Sequence, residues 1–143
     1  MSYCTLQDLI ERFSESELIQ LTDRTNTGAV NETTVTRAIA DSDAEIDSYL
    51  QTRYVLPLPS LPQILKSTAS DITRYRLYDD RASEQVTKRY TDAVAWLRLV
   101  AARKVSLGLP ELQASEAVSS GGPKISAEPR TFTRDSLSGY TRE

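Results

Sequence analysis

Four carboxylates crowd into Asp41-Ser42-Asp43-Ala44-Glu45-Ile46-Asp47, and dense oxygen donors of this kind are the ordinary ligands of calcium or magnesium. The run does not make such a site. Ile46 stands where a calcium-binding loop needs a turn glycine, and no terminal glutamate closes the loop. On a helix, Asp41 and Glu45 share one face at i, i+4, while Asp43 and Asp47 share another, so the four do not converge on one ion. The expected reading is a charged helix face turned to solvent, able to repel a polyanion.

Other chemistry is scarcer still. The chain has no histidine and one cysteine, Cys4. This removes the Ser–His and Cys–His nucleophile pairs, most zinc sites and the commonest general base. No phosphate-binding glycine loop, dinucleotide fingerprint or nucleophile elbow is present. No enzyme activity and no cofactor are expected. A lone Cys4 cannot form an intrachain disulfide, which fits a reducing compartment, and it reads as a small apolar residue at the edge of the first helix. Tyr75, Tyr78, Tyr90 and Trp96 have the residue types of a base-stacking platform, but their spacing fits a helix–helix interface better. Arg98, Arg103 and Lys104 suit the negative end of a helix. Arg74, Arg76 and Arg81 have Asp71, Asp79 and Asp80 within reach as ion-pair partners, or else a neighbouring subunit.

These groups must sit on helices. Thr5 is a good N-cap for a helix carrying Leu6, Leu9, Ile10 and Phe13, with Asp8 in its first turn. A second short helix spans about 14–22. Asn31 caps a long one to about Tyr54, with an apolar stripe through Val35, Ala38, Ile46 and Leu50, and with Gln51 and Arg53 on its polar surface. Prolines 57 and 59 end it. Ser60 or Pro62 starts the next helix, to about Tyr78. Ser83 caps the last, which runs to Leu107 with Gly108 at the left-handed stop and Pro110 beyond it.

The chain of 143 residues carries a net charge of −3. Of its 17 Lys/Arg and 20 Asp/Glu, 13 and 15 fall in residues 1–109. No part is strongly basic, as a general nucleic-acid binder would be. No apolar run is long enough to span a membrane, and the first residues lack the pattern of a signal peptide, so a soluble product of the host cytoplasm is expected. The predicted architecture is all-α: a bundle of four to five helices over 1–109, then an extended C-terminal arm over 110–143. That arm has little apolar content and needs a partner surface to become ordered. Its anchors are Ile125, Phe132, Leu137 and Tyr140.

Several segments, in order, carry a resemblance. They are Ser2-Tyr3-Cys4-Thr5-Leu6-Gln7-Asp8-Leu9, Asp43-Ala44-Glu45-Ile46-Asp47-Ser48-Tyr49-Leu50, Arg53-Tyr54-Val55-Leu56-Pro57-Leu58-Pro59, Asp71-Ile72-Thr73-Arg74-Tyr75-Arg76-Leu77-Tyr78 and Arg89-Tyr90-Thr91-Asp92-Ala93-Val94-Ala95-Trp96-Leu97. Together they resemble the Mu-like phage and prophage family of head–tail joining proteins, carried as a domain of unknown function, over roughly residues 2–109. That family is similar in helical pattern to the head–tail connectors of long-tailed phages. The resemblance implies a homo-oligomeric ring, commonly of twelve subunits, in the neck of the virion. The ring would bind beneath the portal protein, meet a tail-terminator or neck protein, and let DNA pass without specific binding. It implies no catalytic residue. In that setting Asp41, Asp43, Glu45 and Asp47 are expected to face the channel.

Two alternatives have their own expectations. A small helical nucleic-acid-binding module of genome packaging would bind DNA as a monomer in a salt-sensitive way. A tail-terminator or neck protein of the same joint would be richer in strand.

Overall fold

Local capping chemistry sets where most of the helices begin. The computed structural model describes residues 1–78 and 81–112. Among them are five helices, α1 (Leu6–Phe13), α2 (Glu15–Thr22), α3 (Glu32–Leu50), α4 (Gln63–Leu77) and α5 (Glu84–Ala101). Thr5 Oγ1 accepts the Asp8 N–H, and Asp8 accepts the Thr5 N–H in return, a complete capping box. Asn31 caps α3 through Thr34 N–H, and Ser83 caps α5 through Val86 N–H. Ser14 both ends α1 and caps α2, at φ 81° and ψ 147°. Before α4, the N-cap place falls to Pro62, with no side-chain cap; Ser60 does not serve.

The apolar stripes of α3, α4 and α5 meet in the main core. Ile46 and Leu50 from α3 pack with Leu65, Ala69 and Ile72 from α4 and with Ala93, Leu97 and Val100 from α5. Tyr3 and Cys4, ahead of α1, enter the same core. Each fully buried leucine, isoleucine or valine here stabilises the fold by about 1.5–3 kcal/mol through removal from water. A second cluster forms where α1 and α2 cover the first half of α3: Leu9, Phe13, Leu18, Val35, Ala38 and Leu77.

Two helices are shorter than their sequence predicts. α3 stops at Leu50 rather than Tyr54; a turn follows, with Arg53 and Tyr54 N–H both donating to Leu50 C=O, and Tyr54 bridges Glu111. α5 stops at Ala101 rather than Leu107. Its end is a Schellman turn, with Lys104 N–H donating to Leu99 C=O and Arg103 N–H to Val100 C=O. The left-handed residue of that turn is Arg103, at φ 61°; Gly108, at φ 70°, makes a separate later turn. This turn lets the chain double back, so that Leu112 N–H donates to Arg53 C=O at 2.8 Å. That isolated bridge is the nearest approach to a strand among the described residues. The expected arm lies, beyond Leu112, outside those residues.

Candidate functional site

The acidic stretch of α3 is engaged within the bundle at three of its four carboxylates. Asp43 Oδ1 accepts the Tyr3 N–H at 3.0 Å, and Asp47 Oδ1 accepts the Tyr3 hydroxyl. Glu45 Oε2 lies 2.6 Å from Arg76 Nη2, while its Oε1 accepts the Tyr90 hydroxyl at 3.0 Å. Asp41 is exposed. Asp43 and Asp47 thus face the N-terminal residues, and Glu45 faces α4 and α5. Burial pushes the Asp43 carboxyl up, against the pull of the Tyr3 N–H and the Ser2 hydroxyl. Among the described residues, no three His, Cys, Asp or Glu side chains are grouped so as to hold a metal ion.

The other singled-out residues are placed as follows. Tyr75 and Tyr90 stack at 4.1 Å between α4 and α5, so they are spent on the helix interface. Tyr78 donates its hydroxyl to Glu17 at 2.8 Å. The ion pairs cross between helices: Arg74 with Glu17 at 2.7 Å, Arg76 with Glu45, and Arg12 with Asp71 at 3.2 Å. Arg98, Arg103 and Lys104 are exposed at and just beyond the end of α5. Ile125, Phe132, Leu137 and Tyr140 lie outside the described residues, as do Asp79 and Asp80.

Cys4 sits deeper than an edge position. Its Sγ lies 3.6 Å from Thr73 Oγ1, which donates to Ser42 Oγ at 2.9 Å, and Ser42 donates to Ala38 C=O at 2.7 Å. Burial pushes the Cys4 thiol up to about 11, which keeps it an unreactive thiol at neutral pH.

The feature that the sequence did not announce is Arg53. It was expected on the polar surface of α3; instead it is 4% exposed. Its Nη1 donates to Val100 C=O at 2.7 Å and to Val105 C=O at 2.5 Å, and its Nη2 donates to Glu111 Oε1 at 2.6 Å. A cation at the end of α5 meets the negative pole of that helix and adds a second donor to the Val100 carbonyl, which also accepts the Arg103 N–H. Tyr54, next in sequence, is also buried, and its hydroxyl oxygen accepts the Leu107 N–H at 3.0 Å. Side chain and backbone at 53–54 therefore fasten residues 105–112, the stretch from which the rest of the chain departs. The clue in the sequence was weak: an arginine just past an apolar stripe and before a tyrosine, with partners some fifty positions away.

The family model described as "Bacteriophage Mu, Gp36" matches residues 3–125. The chain belongs to that family. It is similar to gene product J of Escherichia phage Mu, at 32% identity over 94% of this chain and 96% of that protein. It is also similar to the Mu-like prophage FluMu protein gp36 of Haemophilus influenzae, at 36% identity over 76% of this chain and 77% of that protein. The Gp36 match runs past Leu112, and the phage Mu likeness takes in most of the C-terminal 31 residues as well. That stretch is thus part of the shared length, and Arg53, Tyr54 and Glu111 all fall within the Gp36 match. Among the described residues, no helix is long and apolar enough to cross a membrane.

Proposed function

We propose that this chain is a structural, non-enzymatic component of a phage particle. It acts as a head–tail adaptor that assembles as a ring, of twelve subunits, beneath the portal protein and joins the DNA-filled head to the tail. The observation that carries the proposal is membership of the Gp36 family across nearly the whole chain, on a helical bundle that fastens the start of its C-terminal stretch through Arg53 and Tyr54. A ring closed by head-to-tail side contacts needs two different faces on each subunit. The C-terminal stretch, with Ile125, Phe132, Leu137 and Tyr140 as anchors, reaches the tail-terminator or neck protein or a neighbouring subunit. Of Asp41, Asp43, Glu45 and Asp47, the exposed Asp41 is the one left to present charge to the channel, where it helps DNA pass without adhering; the other three are engaged within the bundle.

Deletion of residues 119–143 tests this reading. The shortened protein keeps its helical circular dichroism, and phage carrying it make filled heads that do not join tails. Normal infectious particles from the deletion contradict the role of the C-terminal stretch. Salt-sensitive DNA binding by the isolated chain supports the packaging module instead.

A further inference from the structure

Between α4 and α5 runs a shallow open cleft of about 420 Å³. It is built from two helical ladders at i, i+3, i+4 and i+7. α4 gives Ile64, Ser67, Thr68 and Asp71, and α5 gives Arg89, Asp92, Ala93 and Trp96. The helices are antiparallel here, so the groove is graded along its length. At one end Asp71 is held by Arg12 at 3.2 Å, with Arg89 Nη1 3.8 Å from its other oxygen. At the other end Ile64, 52% exposed, lies with Ala93 and Trp96 as an apolar floor. Between the ends stands Asp92, exposed and without an ion pair among the described residues.

The occupant this groove asks for has an apolar side chain with a cation about one helical turn away. One turn of helix advances roughly 5.4 Å, and two residues of extended chain advance roughly 6.6 Å. An extended segment with an aromatic at one position and a basic residue two positions away therefore matches Trp96 and Asp92. Beyond Leu112, the sequence contains Arg130-Thr131-Phe132-Thr133-Arg134, where Phe132 has an arginine two positions away on both sides. Phe132 and its two arginines share one face of an extended chain. Because the pattern is symmetric, either chain direction brings a guanidinium to Asp92.

We propose that the α4–α5 groove receives residues 130–134 of a second copy of this chain, with Phe132 on the floor formed by Ile64, Ala93 and Trp96 and one flanking arginine on Asp92. The assignment to a second copy rests on the ring reading given above. The chain between Leu112 and Arg130 spans up to roughly 60 Å when extended, enough to cross a neighbouring bundle of this size. The groove walls are helices, so the docked segment gains its order from side-chain contacts.

Trp96 is the one tryptophan in the chain, so its fluorescence reports on the groove. In the full-length protein, raising the concentration through self-association shifts Trp96 emission to shorter wavelength and lowers its quenching by acrylamide. Phe132→Ala abolishes both changes and weakens self-association by about tenfold. Asp92→Arg has a similar effect, and adding Arg130→Asp and Arg134→Asp to it restores the signal. Circular dichroism of each variant checks that the bundle is intact. Trp96 quenching that ignores both concentration and Phe132 overturns the proposal. So does protection that depends on Phe132 yet is equal at every dilution, because the segment then lies on its own bundle. Either result leaves the head–tail role standing, since that role fails separately, when deletion of 119–143 yields infectious particles.

Discussion

Arg53 Nη2 lies 2.6 Å from Glu111 Oε1, and the same guanidinium donates to Val100 C=O at the end of α5. One side chain thereby ties three places together: the turn after α3, the end of α5 and the last described residues. Removing it leaves the part-buried Val105 carbonyl without this donor and Val100 with the Arg103 N–H alone. Arg53→Ala is expected to destabilise the fold by about 1–3 kcal/mol, the range for leaving a buried hydrogen-bonding group unsatisfied, since the Glu111 carboxylate left behind is exposed. Arg53→Lys is expected to recover little, because one ammonium cannot reach three separated acceptors in the geometry of a planar guanidinium. Urea denaturation of the full chain measures both variants. A loss below about 0.5 kcal/mol for Arg53→Ala contradicts this account of the fastening.

Arg103 occupies the left-handed position of the turn that ends α5, at φ 61°. A side chain there costs about 1 kcal/mol that glycine does not incur. Arg103→Gly is therefore expected to raise stability by about 0.5–1 kcal/mol, read as a higher urea midpoint at unchanged slope. Gly108→Ala, by the same conformational argument at φ 70°, is expected to lower it by a similar amount. No atom crowds the Cβ position at Gly108, so its effect is purely one of backbone conformation.

Acid should weaken the bundle through two carboxylates. The hydrogen bond from Arg53 holds the Glu111 carboxyl below its ordinary 4.5. Burial alone would raise Asp8, but hydrogen bonds from Lys66 and Thr5 outweigh it and hold that carboxyl below its ordinary 3.8. Both groups bind protons more weakly in the folded chain than in the unfolded one. Their contribution is present above the ordinary values and is lost as pH falls through the lower, folded ones. Asp43 has the opposite sign: its raised carboxyl is penalised near neutrality and relaxes in acid. The expected thermal midpoint is steady from about pH 7 to 5 and falls below about pH 4. The double variant Asp8→Asn/Glu111→Gln should start lower at neutral pH and fall less steeply. An equal acid drop in both proteins contradicts the assignment to these two pairs.

What was legible in the sequence was local. Thr5, Asn31 and Ser83 act on N–H groups three positions away, so the starts of α1, α3 and α5 follow from a few neighbouring residues. The apolar stripe of α3 is likewise a matter of spacing, and Val35, Ala38, Ile46 and Leu50 are buried as that spacing predicts. The ends of α3 and α5 were not legible: Tyr54, placed on α3 by its spacing, bridges Glu111 far along the chain, and α5 ends on a left-handed arginine, Arg103, where Gly108 was the residue type that suited the stop. Buried polar residues on helices were missed for a related reason. Ser42 and Ser70 look like surface residues by type, yet each satisfies its hydroxyl on the carbonyl four residues back and can enter the core. The partners of Asp43, Glu45 and Asp47 are Tyr3, Arg76 and Tyr90, none of them near in sequence. A run of charges by itself carries no record of them.

The central claim is that this chain sits in the neck of a virion, between head and tail. Imaging of the neck of the intact particle by electron cryomicroscopy, with this chain traced in the density, measures that directly. A closed ring of helical bundles against the portal is expected, with the C-terminal stretch of each subunit following on from the Arg53–Glu111 pair. A neck without this chain, or this chain found only elsewhere in the particle, contradicts it.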